Sequence, residues 1–354
     1  MEAFITGLGN ISPQNTLDNT KFLEEIVDYP SAFLKSIDPN YKDFVGPILI
    51  RRMSHIIKMG VAAGMTALKD AQVEQPDAII TGTGLGCIED TENFLGAIIE
   101  NNERLLTPTP FIQSTHNTIS AQIALLLKCN NYNSTYVHRG FSFETALLDA
   151  MLQIDEGTCN SVLVGGVDEI TQNTFKITER LGLWKKGAIS TINLLNYKTK
   201  GSITGEGASF FVLSDKNNGN AYAKIKGLKT FYKPENNAAI QENIENFLEA
   251  NSLNANDIDL VVLGYNGDIR FDGAYDYVKE TIFSKSNISY FKNLCGEYHT
   301  AGAFALWVAA KAIKNQEIPK AISIRKTDKS EIKNVLIYNH YLNINHSLTL
   351  LSKC

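Results

Sequence analysis

Residues 129–170 read CNNYNSTYVHRGFSFETALLDAMLQIDEGTCNSVLVGGVDEI. Residues 132–137 are rich in β-formers, while residues 143–154 place Ala146, Leu147, Ala150, Met151 and Ile154 on one helical stripe. The apolar run 161–167 that follows reads as a buried strand carrying the pair Gly165-Gly166. An extended segment therefore feeds a tight turn, and the helix begins near Gly140 to Ser142. A helix N-terminus reached from a buried strand presents free backbone N–H groups and partial positive charge, the usual setting of a nucleophile and its oxyanion donors. The turn itself reads His138-Arg139-Gly140-Phe141-Ser142.

Working outward from this unit, residues 4–13, FITGLGNISP, form a short apolar strand closing on Gly7-Leu8-Gly9. Residues 51–70 carry Met53, Ile56, Ile57, Val61, Ala62 and Met65 on one face, an amphipathic helix whose apolar side packs into the core. Residues 77–86, DAIITGTGLG, are a buried strand ending in alternating glycines. No Lys-Ser/Thr follows to make a phosphate loop, and single-residue spacing of Gly82, Gly84 and Gly86 is wrong for a dinucleotide fingerprint. Two prolines in residues 107–110 bar helix, which resumes near Asn117 with Ile119, Ile123 and Leu126 apolar. Residues 201–213, GSITGEGASFFVL, read as a turn feeding a strand. The polar stretch Asn217-Asn218-Gly219-Asn220 is the expected hinge, with the boundary near Asp215. Beyond it, residues 260–267 echo the 79–84 strand and turn, and residues 334–341 echo 161–167, so the chain reads as two similar α/β halves, 1–215 and 216–354.

Composition narrows the function. The chain has 354 residues, 44% of them hydrophobic, enough for a large core and too many for disorder. A net charge of -5 gives no electrostatic reason to expect nucleic acid. The cysteines number five, none in a CxxC pair, and the chain opens on a strand-like segment; a reducing cytoplasm is expected. The most apolar helix, residues 300–313, is too short to span a bilayer and carries Lys311. The six His are scattered, so neither a metal nor another cofactor is expected.

Taken in order, these segments resemble the β-ketoacyl synthases of the thiolase superfamily. The opening ITG-G--SP, the GTG turn at Gly82, the Pro110-Phe111-Ile112 to Asn117 stretch, the glycine pair at 165–166 and the Gly205-Glu206-Gly207 turn all match in sequence order. The resemblance implies a thiolase-like αβαβα layered fold with two pseudo-duplicated halves, each with a five-stranded mixed sheet. It also implies a Cys nucleophile and two His that stabilise carbanion and oxyanion. By the family's spacing back from Gly165-Gly166, the nucleophile position holds Gly140. In the first His loop, Gly264-Tyr265-Asn266-Gly267-Asp268, with Asp272 at the family's Asp, puts Asn266 in the His position; Asn donates a hydrogen bond but exchanges no proton near neutrality. In the second, Lys292 and Gly296 put Glu297 there, and a shift of two residues would put His299 there instead. At the family's glycine-rich C-terminal turn this chain reads Asn339-His340-Tyr341-Leu342-Asn343-Ile344-Asn345, whose side chains are expected to block positive φ and close backbone approach.

A ketosynthase scaffold without its catalytic groups looks like a chain-length factor, which pairs with an active ketosynthase, or with a second copy of itself, and meets acyl carrier protein through that partner. Dimerisation is expected through residues 132–137, and the register places Leu85, Phe111 and Ile112 along the acyl tunnel and interface. The alternatives are a divergent synthase or acyltransferase using Ser142, His138 or Cys295, and a purely structural partner. Ser142 reads more simply as an N-cap, and Cys87, Cys129 and Cys159 as inert core thiols.

Overall fold

The computed structural model of the chain describes residues 2–354 apart from Asn218. The expected hinge, residues 217–220, thus has one member outside the described residues; the strands on either side end at Ser214 and begin at Ala223.

Among the described residues, eleven strands run in the order β3-β2-β4-β5-β1-β6-β11-β10-β7-β8-β9. They are β1 (Ala3–Ile11), β2 (Ala78–Gly82), β3 (Tyr132–Tyr136), β4 (Ser161–Asp168), β5 (Gly207–Ser214), β6 (Ala223–Tyr232), β7 (Leu260–Leu263), β8 (Asn287–Tyr290), β9 (Ser323–Arg325), β10 (Asn334–Tyr341) and β11 (Asn345–Ser352). The order 3-2-4-5-1 is repeated as 8-7-10-11-6. In each set the first two pairings are parallel and the last two antiparallel, so only the fourth strand runs against the others. Duplication of the halves is therefore a property of topology as well as of sequence pattern.

The expectation of two separate five-stranded sheets needs correction on two points. A short edge strand, β9, adds a sixth strand to the second set through its antiparallel pairing with β8. The two sets are also joined, because Ala3–Ile5 of β1 pair with Ala223–Ile225 of β6. β1 shifts register against β5 between Ile5 and Gly7, and its first residues reach past that irregularity to a second neighbour.

Alternation along the strands sorts side chains into layers. One face of the first set (Ile80, Val162, Val164, Phe211, Leu213) and one face of the second (Leu260, Val262, Val335, Ile337) share a core with the helices Ser142–Asp155 and Ala301–Asn315. Residues Ala301 to Ile313 are buried all round, as a helix between two sheets must be. The opposite faces carry outer helices: His55–Ala71 over Ile79, Leu163 and Phe210, and Asn237–Ala250 over Val261, Leu263 and Leu336. The result is the expected αβαβα layering. Among the described residues, no helix is long and apolar enough to cross a membrane.

Candidate functional site

The turn between β3 and the central helix is a single tight turn, Arg139–Phe141, with Arg139 in the left-handed region at φ 48° and Gly140 buried. Ser142 is the first residue of the helix and not its N-cap, which is Phe141. Its Oγ is fully buried and accepts the backbone N–H of His138 at 2.8 Å. The His138 ring stacks on Phe141 at 5.6 Å. Ser142 and His138 thus meet through a backbone amide, not through an imidazole able to take the hydroxyl proton.

The loops that follow β7 and β8 converge on one buried carboxylate. Asp272 accepts the N–H groups of Asn266 (3.1 Å) and Gly267 (2.9 Å), which fixes the first loop. Asn266 Nδ2 then donates to Glu297 Oε2 at 2.8 Å, and Lys292 Nζ donates to the same oxygen at 2.7 Å. Lys292 also reaches the carbonyl of His340 at 3.4 Å. All three side chains are buried, Lys292 completely. An amide and an amine both donate to this carboxylate, which closes the arrangement on itself.

Two residues further on lies the ring of His299. It fills the space beside Gly84, where a Cβ would come within 2.2 Å of its Cδ2, and lies 4.9 Å from the ring of Tyr341. Its Nδ1 has no hydrogen-bond partner, and burial lowers its pKa below the ordinary imidazole value. The two registers left open by the sequence therefore correspond to two different contacts: Glu297 meets Asn266, and His299 meets Tyr341. Both line a cavity of about 70 Å³ together with Leu85, Asp168, Trp184 and Tyr341. Asp168 frames it by accepting Gly84 N–H at 2.7 Å with one oxygen and Thr300 N–H and Oγ1–H at 2.9 and 2.8 Å with the other.

The expectation that side chains in the C-terminal turn would block positive φ is overturned. Leu342 and Asn343 both adopt it, at 53° and 55°, and Ile344 N–H closes the turn on Tyr341 O at 3.0 Å. This is the geometry that a tight hairpin between antiparallel strands demands, and the β10–β11 ladder imposes it against local preference, costing about 1–2 kcal/mol at Leu342. The turn sets Tyr341 over Gly140.

The remaining candidates scatter. Cys295 is fully enclosed, and burial pushes its thiol well above the ordinary range, opposite to what a nucleophile needs. Phe111 and Ile112 lie on the helix Pro108–Gln113 with 57% and 61% of their surface exposed, away from the cavity that Leu85 lines. Sequence reasoning missed the pairing of Lys292 with Glu297, the seat of Tyr341 over Gly140, and Glu144. This last is a buried carboxylate on the apolar helix 142–155, where its polarity at a core-facing position was the available signal.

Residues 30–191 match the family model of the β-ketoacyl synthase N-terminal domain. No curated protein matches the chain. Among solved structures, the ishigamide ketosynthase/chain length factor superposes with a TM-score of 0.80 at 18% identity, covering 100% of this chain and 99% of that one. A β-ketoacyl synthase from Burkholderia phymatum STM815 gives 0.75 at 18% identity with the same coverage. The ketosynthase ApeO in complex with its chain length factor ApeC, from Xenorhabdus doucetiae, gives 0.76 at 14%, covering 99% of this chain and 98% of that one. Residues 30–191 thus resemble the β-ketoacyl synthase N-terminal domain, and the fold of these solved structures extends over the whole length of the chain.

Proposed function

We propose that this protein is a non-catalytic, chain-length-factor-like partner of an active β-ketoacyl-ACP synthase in fatty acid, polyketide or aryl-polyene synthesis. One observation carries the proposal: where proton-handling imidazoles would face a thioester, Asn266 and Lys292 both bind Glu297 and satisfy one another. Gly140, at the nucleophile position, supplies no thiol. Similar structures whose names include a chain length factor support the same role. The divergent-enzyme alternative has less support, since Ser142 and Cys295 are both enclosed and burial pushes the Cys295 thiol well above its ordinary range.

A heterodimer is the proposed assembly, with acyl carrier protein reached through the partner. β3 ends the sheet and, among the described residues, pairs only with β2, which leaves its other edge open, and Leu125, Tyr132 and Val137 expose apolar surface beside it. Pairing with the corresponding strand of a ketosynthase would close that edge.

The direct test is incubation of the isolated protein with acyl- and malonyl-loaded carrier protein, followed by intact-mass analysis. No covalent adduct and no decarboxylation are expected, and a stable acyl adduct would refute the assignment. A second measurement addresses the tunnel. Leu85→Ala, in a reconstituted pair with an active synthase, is expected to shift the products towards longer chains. Such a truncation costs on the order of 2–5 kcal/mol, so dimer yield is measured alongside. An unchanged product distribution from an intact dimer would remove Leu85 from the tunnel.

A further inference from the structure

We infer that Tyr341 occupies the volume a nucleophilic side chain at position 140 would need, so the silence of this site is held by two residues and not by the loss of a thiol alone. This rests on position 140 being the vacated nucleophile position. It goes further by naming the residue that keeps it vacant.

The geometry separates two reasons why a position can require glycine. The first is backbone conformation, and it does not apply: Gly140 is absent from the residues with positive φ, so an L side chain is compatible with its backbone. The second is space, and it applies strongly. A Cβ built on Gly140 would lie 2.8 Å from Cβ of Tyr341, 3.2 Å from its Cγ and 3.3 Å from Cβ of Asn345. The obstructing atoms are the root of the tyrosine and not its far end, so a rotamer change does not remove them. Tyr341 and Asn345 are the last facing pair of the β10–β11 ladder, and the turn at 342–344 locks both. On its other side the Tyr341 ring packs on His299, and the two side chains line the cavity that reaches Leu85 and Trp184. Tyr341 therefore fills the chamber between the vacated position and the unpartnered imidazole.

The test uses the full chain in a Cys354→Ser background, because Cys354 is exposed while Cys87, Cys129, Cys159 and Cys295 are buried. Four proteins are compared: the parent, Gly140→Cys, Tyr341→Gly and the double variant. The readouts are melting temperature and the rate of native alkylation by iodoacetamide, in which the thiolate displaces iodide to form a thioether. Gly140→Cys alone is expected to lower the melting temperature and to alkylate slowly. In the Tyr341→Gly background, which removes the obstructing Cβ, the same change is expected to cost little and to alkylate about tenfold faster or more. If Gly140→Cys fails to fold while the double variant folds, the inference stands. If neither folds, Gly140→Ala with and without Tyr341→Gly decides it by melting temperature. Equal cost and equal alkylation in both backgrounds would overturn it. An acyl adduct on the unmodified protein would overturn the non-catalytic assignment instead, and would leave the steric coupling measurable.

Discussion

Glu297→Gln is expected to destabilise the protein by about 3–5 kcal/mol, the cost of leaving a buried ammonium without its counter-charge. Lys292 is completely buried, and its Nζ has Glu297 Oε2 at 2.7 Å and the His340 carbonyl at 3.4 Å. Gln keeps the shape of Glu and an acceptor for Asn266 Nδ2, so the change removes charge and little else. A buried ion pair contributes modestly against a well-packed apolar pair, yet breaking it from one side is expensive. Lys292→Met with Glu297→Gln is therefore expected to recover most of the loss. Urea midpoints of the parent, Glu297→Gln and the double variant measure both effects. If the single variant were as stable as the parent, Lys292 would have to be neutral or hydrated, and the description of this site as an internally closed charge arrangement would fail.

Much of this fold could be read from the chain because each layer leaves its own pattern. Core strands such as residues 161–167 are continuous apolar runs, helix 55–71 shows a 3.6-residue stripe, and helix 301–315 is apolar on every side. Duplication of the halves showed as repeated strand-and-turn segments. What the pattern could not show was β1 reaching β6 with its first three residues, since that pairing depends on where a strand shifts register. Nor could it show β9, which at three residues is too short for alternation to register.

The site divides in the same way. Motif spacing led to Gly140, Asn266 and Glu297, and it left Glu297 and His299 as alternatives because a two-residue shift changes the match without breaking it. In the folded chain both line the same cavity. Contacts between the halves were not legible: Tyr341 over Gly140 joins the last hairpin to the turn before the central helix, and no local rule relates them. The error about positive φ in the turn 342–343 has a simple origin. Preference is local and weak, whereas eight facing residue pairs between β10 and β11 fix the turn from both sides.

Glu144→Gln is expected to stabilise the protein at pH 8 and to change it little at pH 5. Glu144 is buried at 3% exposure. One of its oxygens accepts the Ser347 hydroxyl at 3.1 Å, and the other is buried without a partner. Burial raises its pKa from the ordinary 4.5 to about 7, against the opposing pull of Ser347 and Lys292. In the unfolded chain this carboxyl releases its proton near the ordinary value, while in the folded chain it keeps the proton to about pH 7. Between those values the native state binds more protons, so stability falls as pH rises through the window and stays low above it. The loss amounts to about 3 kcal/mol at most. Gln stays neutral throughout and still accepts from Ser347, so its advantage should open across the same window to about 1–3 kcal/mol. Glu169 and Asp272, each raised to about 7 by burial, add slopes of the same sign. Burial holds His340 and His346 low, so both oppose that trend, since the unfolded chain binds their protons first as pH falls. The parent's own profile therefore mixes these contributions, and the informative quantity is the difference between variant and parent in urea midpoints at pH 5, 6, 7 and 8. A difference that stays constant with pH would show that Glu144 ionises as an ordinary carboxyl, and the account of it as an unpaired buried acid would be wrong.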